Sequence, residues 1–265
     1  MQNHEIDYRI YGEEMQYVEV ELDPQETAIG EPGSFMMMED GIQMQTIFSD
    51  GSNQNNNSIL DKLFSAGKRL LVGENLFMTA YTNIAPQGKR HVSFAAPYPG
   101  KIIPLDLNAL GGKVICQKDA FLCAAKGVAI NIEFQKKLGT GLFGGEGFIM
   151  EKLEGDGMAF MHAGGHITER ELQPGEILKV DTGCIVGFTG NVHYDIEFIG
   201  GIKNTLFGGE GVFFALLQGP GKVWIQTLPI SRLARRILAY ATVKQKDEGS
   251  ILGPLGRIFD GDNSF

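Results

Sequence analysis

Leu142-Phe143-Gly144-Gly145-Glu146-Gly147 returns letter for letter, 64 residues later, as Leu206-Phe207-Gly208-Gly209-Glu210-Gly211. A third, degenerate copy is Leu71-Val72-Gly73-Glu74-Asn75-Leu76. The register holds on both sides of the perfect pair. Val128/Val192, Ile132/Ile196, Glu133/Glu197, Phe134/Phe198, Gly155/Gly219, Gly157/Gly221 and Phe160/Trp224 keep the same spacing without a gap. Long ungapped register of this kind is the mark of an internal duplication. Residues 41–48 match 127–134 and tie the first unit to the other two. The first unit is longer between Phe48 and Glu74, where an insertion is placed.

Within the units the pattern is that of short strands. Residues 15–22 alternate apolar and polar side chains, as a half-exposed strand does. Ser34-Phe35-Met36-Met37-Met38 is a continuous apolar run and predicts a buried strand, ended by Glu39-Asp40-Gly41. Residues 42–48 alternate again, 49–58 form an asparagine-rich loop, and Ile59, Leu60, Leu63 and Phe64 predict a short helix inside the insertion. With 36 glycines spread through hydrophobic segments and no βαβ alternation, the chain reads as all-β. Three antiparallel repeats, about 15–107, 108–172 and 173–229, pack around a pseudo-threefold axis in one domain, 1–230. The end differs. Ile230, Leu233, Ala234, Ile237, Leu238 and Ala241 form an apolar stripe at helical spacing, with Ser231 as N-cap. This predicts an amphipathic helix over 231–241, a charged linker over 244–249 and a frayed tail to 265.

Composition narrows the function classes. A net charge of −9 repels phosphate and disfavours nucleic acid as a partner. Cys116, Cys123 and Cys184 form no CxxC pair and read as small buried hydrophobes of a reducing compartment. Neither a signal peptide nor a long apolar span is visible, which sets a cytoplasmic expectation.

Several motifs together carry a resemblance. The two perfect hexapeptides, residues 115–122 (Ile-Cys-Gln-Lys-Asp-Ala-Phe-Leu), 219–226 (Gly-Pro-Gly-Lys-Val-Trp-Ile-Gln) and 228–234 (Leu-Pro-Ile-Ser-Arg-Leu-Ala) resemble a family of uncharacterised bacterial proteins. That family shares its β-domain with a fungal mitochondrial altered-inheritance protein. The resemblance implies a fold similar to the trp RNA-binding attenuation protein (TRAP-like), with three repeats related to double-stranded β-helices. Homo-oligomers fit it, and the mitochondrial relatives are linked to inner-membrane organisation. No catalytic residue comes with the resemblance, and RNA binding does not transfer on fold alone.

The candidate sites are few. Glu74, Glu146 and Glu210 recur in every unit, either bracing glycine turns or converging on the axis to bind a cation or basic partner. Arg232, Arg235 and Arg236 give the C-terminal helix a basic flank, suited to packing on the core, a protein partner or a peripheral anionic membrane. His162, His166 and Glu169 are the residues a cupin-like metal enzyme would use. The repeat argues against them, because His162 aligns with Gln226 and so reads as a solvated strand residue. The G-x-G-x-x-G match at 139–144 precedes a strand-like run and reads as accidental, and no G-x-S-x-G elbow is present. The expected function is a non-enzymatic, oligomeric scaffold or binding module without cofactor. A cupin-like metal enzyme and an RNA-binding protein are the alternatives.

Overall fold

Where a strand is half-exposed, alternation decides which face is buried. In Tyr17–Leu22, Val18, Val20 and Leu22 point inward while Tyr17, Glu19 and Glu21 are half-exposed. The computed structural model describes residues 5–48, 77–136, 148–199 and 212–247. The strands are β1 Asp7–Tyr11, β2 Tyr17–Leu22, β3 Thr27–Gly30, β4 Phe35–Met38, β5 Ile42–Phe48, β6 Phe77–Asn83, β7 Arg90–Ala95, β8 Gly100–Asp106, β9 Lys113–Gln117 and β10 Phe121–Ala125. They continue as β11 Ala129–Lys136, β12 Phe148–Glu154, β13 Met158–Gly164, β14 Ile167–Leu172, β15 Ile177–Asp181, β16 Ile185–Thr189, β17 His193–Ile199, β18 Val212–Gln218 and β19 Gly221–Gln226. Among the described residues one α-helix, α1, follows at Ile230–Asp247. The protein is mostly β, as expected.

The strands form four sheets, ordered β1-β2-β7-β4, β5-β6-β3-β10-β13-β8, β11-β12-β9-β16-β19-β14 and β15-β18-β17. Pairing is antiparallel at the seams and within the outer sheets. The first sheet packs on the second through Val18, Val20, Leu22, Phe94, Tyr81 and Phe160. The second packs on the third through Phe121, Met161, Cys116, Val186 and Trp224. The third packs on the fourth through Phe148, Met150, Phe188, Val192 and Leu217. Alternate residues of a middle-sheet strand therefore serve two cores, as Phe121 and Leu122 of β10 do.

The two middle sheets are each joined at a seam in the chain's own sequence. β10 pairs with β3 (Cys123↔Gly30, Ala124↔Ile29, Ala125↔Ala28), and β16 pairs with β9 (Gly187↔Cys116, Phe188↔Ile115, Thr189↔Val114). The second seam is tight. A Cβ on Gly187 would stand 2.7 Å from the Ile115 carbonyl oxygen and 3.1 Å from the Met161 sulfur, so only glycine lets the two backbones approach.

Several expectations need correction. Residues 34–38 do form a strand, but all four residues of β4 are exposed. The apolar run has the composition of an interior strand, yet β4 has a strand neighbour, β7, on one side only among the described residues. β1 was not anticipated, and its Asp7–Tyr11 run is exposed or half-buried against β2. The helix begins at Ile230, which puts Ser231 inside its first turn, and it runs on to Asp247. The first four residues of the expected 244–249 linker, Lys244-Gln245-Lys246-Asp247, hold no glycine or proline to stop it. The short helix predicted near residues 59–64 lies outside the described residues. The chain divides into two compact units, Met1–Pro229 and Ile230–Phe265.

Candidate functional site

The residues singled out from sequence have different fates. Glu74, Glu146 and Glu210, with the 139–144 glycine motif, lie outside the described residues. Arg232, Arg235 and Arg236 are exposed on α1, as are Ile237, Leu238 and Tyr240. His162 is the clear correction. It is 1% exposed, not a solvated strand residue. Its imidazole stands edge-on to Tyr98, with ring centroids 4.4 Å apart, and neither ring nitrogen has a well-formed hydrogen bond. Burial holds its pKa down at about 4, opposed only by the backbone of Tyr98, so the ring is neutral at pH 7. The alignment with Gln226 held a better clue than polarity. Gln226 is itself buried, donating to the Gly183 carbonyl and accepting from the Gly164 amide.

His166 and Glu169 are exposed and do not join His162. Glu169 accepts from the Trp224 indole at 2.9 Å and pairs with Lys222 at 2.6 Å. Lys222 pulls its pKa down most; burial opposes this, and the Trp224 indole adds a further lowering. No group of three metal-capable side chains converges among the described residues. Cys116 and Cys123 are buried, and burial raises both thiol pKa values. A shallow cleft of about 430 Å³ on the first sheet is lined by Asp7, Tyr8, Arg9, Glu19, Glu21 and His91. His91 stands 3.3 Å from Glu21 and 3.2 Å from Glu39, and Glu21 also pairs with Lys89.

Sequence reading missed an acidic group near the first seam, in which Glu151 is buried, Glu31 half-buried and Asp119 exposed. Glu31 follows β3 and donates its amide to the Leu122 carbonyl, which sets its side chain beside the 3₁₀ turn Lys118–Ala120. Glu151, on β12 opposite Cys116, is 1% exposed, and its Oε2 has no hydrogen-bond partner. Burial lifts both pKa values to about 8. Asp119 adds repulsion at Glu31, Glu31 adds it at Glu151, and Lys118 offsets part of each. Tyr98 is pushed up by burial, then by Asp119 and Glu31. At neutral pH the pair holds protons that exposed carboxyls would have lost. The signal was present in the repeat, because the 64-residue offset sets Glu151 against Ala215.

The surface with the most unusual chemistry is the edge of the first sheet. Met36, Met37 and Met38 are 47%, 42% and 39% exposed in one strand of a folded domain. At the far end of the sheet series, β15 is also an edge, with Ile177 60% exposed. A protein surface seldom leaves two apolar strand edges open to water, because each offers a row of backbone donors and acceptors to another chain.

Comparison with known proteins agrees with this fold. The family model described as Mitochondrial biogenesis AIM24 matches residues 8–228. An uncharacterized protein of Streptococcus pyogenes serotype M6 is 27% identical over 227 residues, covering 84% of this chain and 86% of the relative. The crystal structure of protein SPYM3_0169 from Streptococcus pyogenes superposes with a TM-score of 0.66 at 20% identity, covering 89% of this chain and 99% of that one.

Proposed function

The chain belongs to the AIM24 mitochondrial biogenesis family, and we propose that it acts as a non-enzymatic, oligomeric β-scaffold made of three related units. Three units are supported by the element order. β9, β10, β11 and β12 start at residues 113, 121, 129 and 148, and β15, β16, β17 and β18 start 64 residues later at 177, 185, 193 and 212. A bulge also recurs at one place, between Phe35 and Met37, Phe121 and Cys123, and Ile185 and Gly187. Neighbouring units share a sheet at each seam, which supports the TRAP-like arrangement.

One observation carries the oligomeric reading. β4 is wholly exposed, whereas β10 and β16, which hold the same place before their own bulged partners, are wholly buried. Light scattering of the full chain tests it. The expected mass is a multiple of 28.9 kDa. A single 28.9 kDa species at every concentration would overturn the reading. Stoichiometric transition metal in the purified protein would overturn its non-enzymatic part.

A second reading concerns α1. Exposed Ile237, Leu238 and Tyr240 beside exposed Arg235 and Arg236 favour a peripheral membrane or partner surface. No described helix is long and apolar enough to cross a membrane. Sedimentation with anionic liposomes, lost when residues 231–265 are deleted, is the expected result, and unchanged sedimentation of the deletion removes it.

A further inference from the structure

The geometry points to a second copy of this chain as the occupant of the β4 edge, docked head to tail through its β15. The inference rests on the oligomeric reading above and names its partner and register. Each seam inside the chain pairs a strand of the β10 type with a strand of the β3 type. β10 lies on β3, and β16 lies on β9. The remaining strand of the first type is β4, and the remaining strand of the second type is β15. Each has a strand neighbour on one side only among the described residues.

Burial tells the same story from both sides. β3 is fully buried and β9 nearly so, while β15 leaves Ile177 and Lys179 exposed and buries only Val180. The two outer sheets are also complementary in size. Both middle sheets have six strands, and β10-β13-β8 on β3-β6-β5 is the layout of the first. The four-stranded sheet supplies β4-β7-β2, with β1 beyond, and the three-stranded sheet supplies β15-β18-β17. Joined across β4 and β15 they make the same six-strand order, with one added edge strand.

The internal seams fix the register. An offset of 86 residues carries Gly30 to Cys116 and Met37 to Cys123, and one of 64 carries Cys116 to Val180 and Cys123 to Gly187. The same rule sets Met37 opposite Val180 of the second copy, Met38 opposite Lys179 and Glu39 opposite Leu178. Two copies meeting β4 to β4 would leave both β15 edges open. A head-to-tail contact covers every β4 and β15 edge once the rotation closes into a ring.

The test uses two full-length variants in a Cys184→Ser background, Met38→Cys and Lys179→Cys. Both new thiols lie on exposed edges, and the remaining native cysteines are buried. Mixed and oxidised, the two are expected to give a disulfide-linked heterodimer that neither gives alone, because directly opposed strand residues sit within disulfide reach. A linked homodimer of Met38→Cys alone means β4 pairs with β4 and overturns the inference. So does the absence of any cross-link in a sample that light scattering shows to be oligomeric. A monomeric sample instead sinks the oligomeric reading itself. As an independent check, Met38→Glu with Lys179→Glu places like charges opposite each other and is expected to reduce the particle to monomer while the β circular-dichroism spectrum is retained. An undiminished mass overturns the register.

Discussion

β4 and β10 are near twins in pairing and opposites in environment. Phe35 faces Phe94 and Met38 faces Val92 in one, and Phe121 faces Met161 and Ala124 faces Ala159 in the other, each across a bulge. β10 is buried along its whole length because β3 closes its far edge and a core lies on each face. β4 has a single strand neighbour among the described residues and is exposed throughout. Apolar composition thus states a demand for burial, and only a neighbouring edge satisfies it. The larger side chains of β4, three methionines in a row, suit a contact that assembles after folding, since methionine adapts its shape to a partner.

The sharpest way to break this comparison is to put the same charge at matched positions. Ala124→Glu places a carboxylate where the native side chain is 0% exposed. It is expected to cost about 3–5 kcal/mol, enough to unfold much of the population, because the charge has no buried partner. Met38→Glu, at the matching place in β4, is expected to move the stability of the chain by about 0.5 kcal/mol or less. Its effect belongs instead to the particle mass. Urea melts of both variants decide the matter, and equal destabilisation would mean that β4 is packed like β10.

A second matched position asks why one unit carries a charge. Glu151 stands 64 residues before Ala215, and both are buried. The folded Glu151 carboxyl titrates at about 8, and the unfolded one near 4.5. Its contribution to stability is therefore complete below pH 4.5 and is lost as pH rises through 8. Glu151→Gln is expected to leave the melting temperature nearly unchanged at acid pH. At alkaline pH it should stabilise the fold by on the order of 2 kcal/mol, since ionising a buried, crowded carboxylate is avoided. Melting temperatures measured across this interval check the sign, and a constant difference at every pH would show that the Glu151 pKa is the same in the folded and the unfolded chain.

The strand pattern was legible where burial has period two, as β2 declares in its alternation, whereas β5 alternates in sequence but is exposed along most of its length. The helix was legible from the stripe Ile230, Leu233, Ala234 and Ile237, but its end was not, because charged residues suit a helix as well as a linker. The exposure of β4 was illegible for a different reason. Phe-Met-Met-Met reads as interior on any hydropathy measure, and whether a neighbour exists is a property of topology. Glu151 was hidden for the opposite reason, since a carboxylate on a strand is ordinarily on the wet face. Only the mismatch of Glu151 with Ala215 pointed inward, and that needed the repeat to be used as a ruler for burial as well as for ancestry.

The same ruler yields the smallest effect at His162, matched with Gln226. The glutamine satisfies both ends of its amide, at 3.1 Å to Gly183 and 2.8 Å to Gly164, whereas the histidine has no comparable partners. Replacing an unsatisfied buried polar ring by an apolar one of similar shape is close to neutral or stabilising. His162→Phe retains an edge-on aromatic contact with Tyr98, and its effect carries a pH signature. The folded imidazole titrates at about 4 and the unfolded one near 6.5. The native chain therefore loses stability as pH falls through that interval, because unfolding lets the ring take a proton. The variant escapes this loss and is expected to gain about 1 kcal/mol more near pH 4.5 than at pH 7.5. Equal gains at both values would mean that His162 already finds a proton in the folded state, and so that a partner reaches it which the matched glutamine does not have.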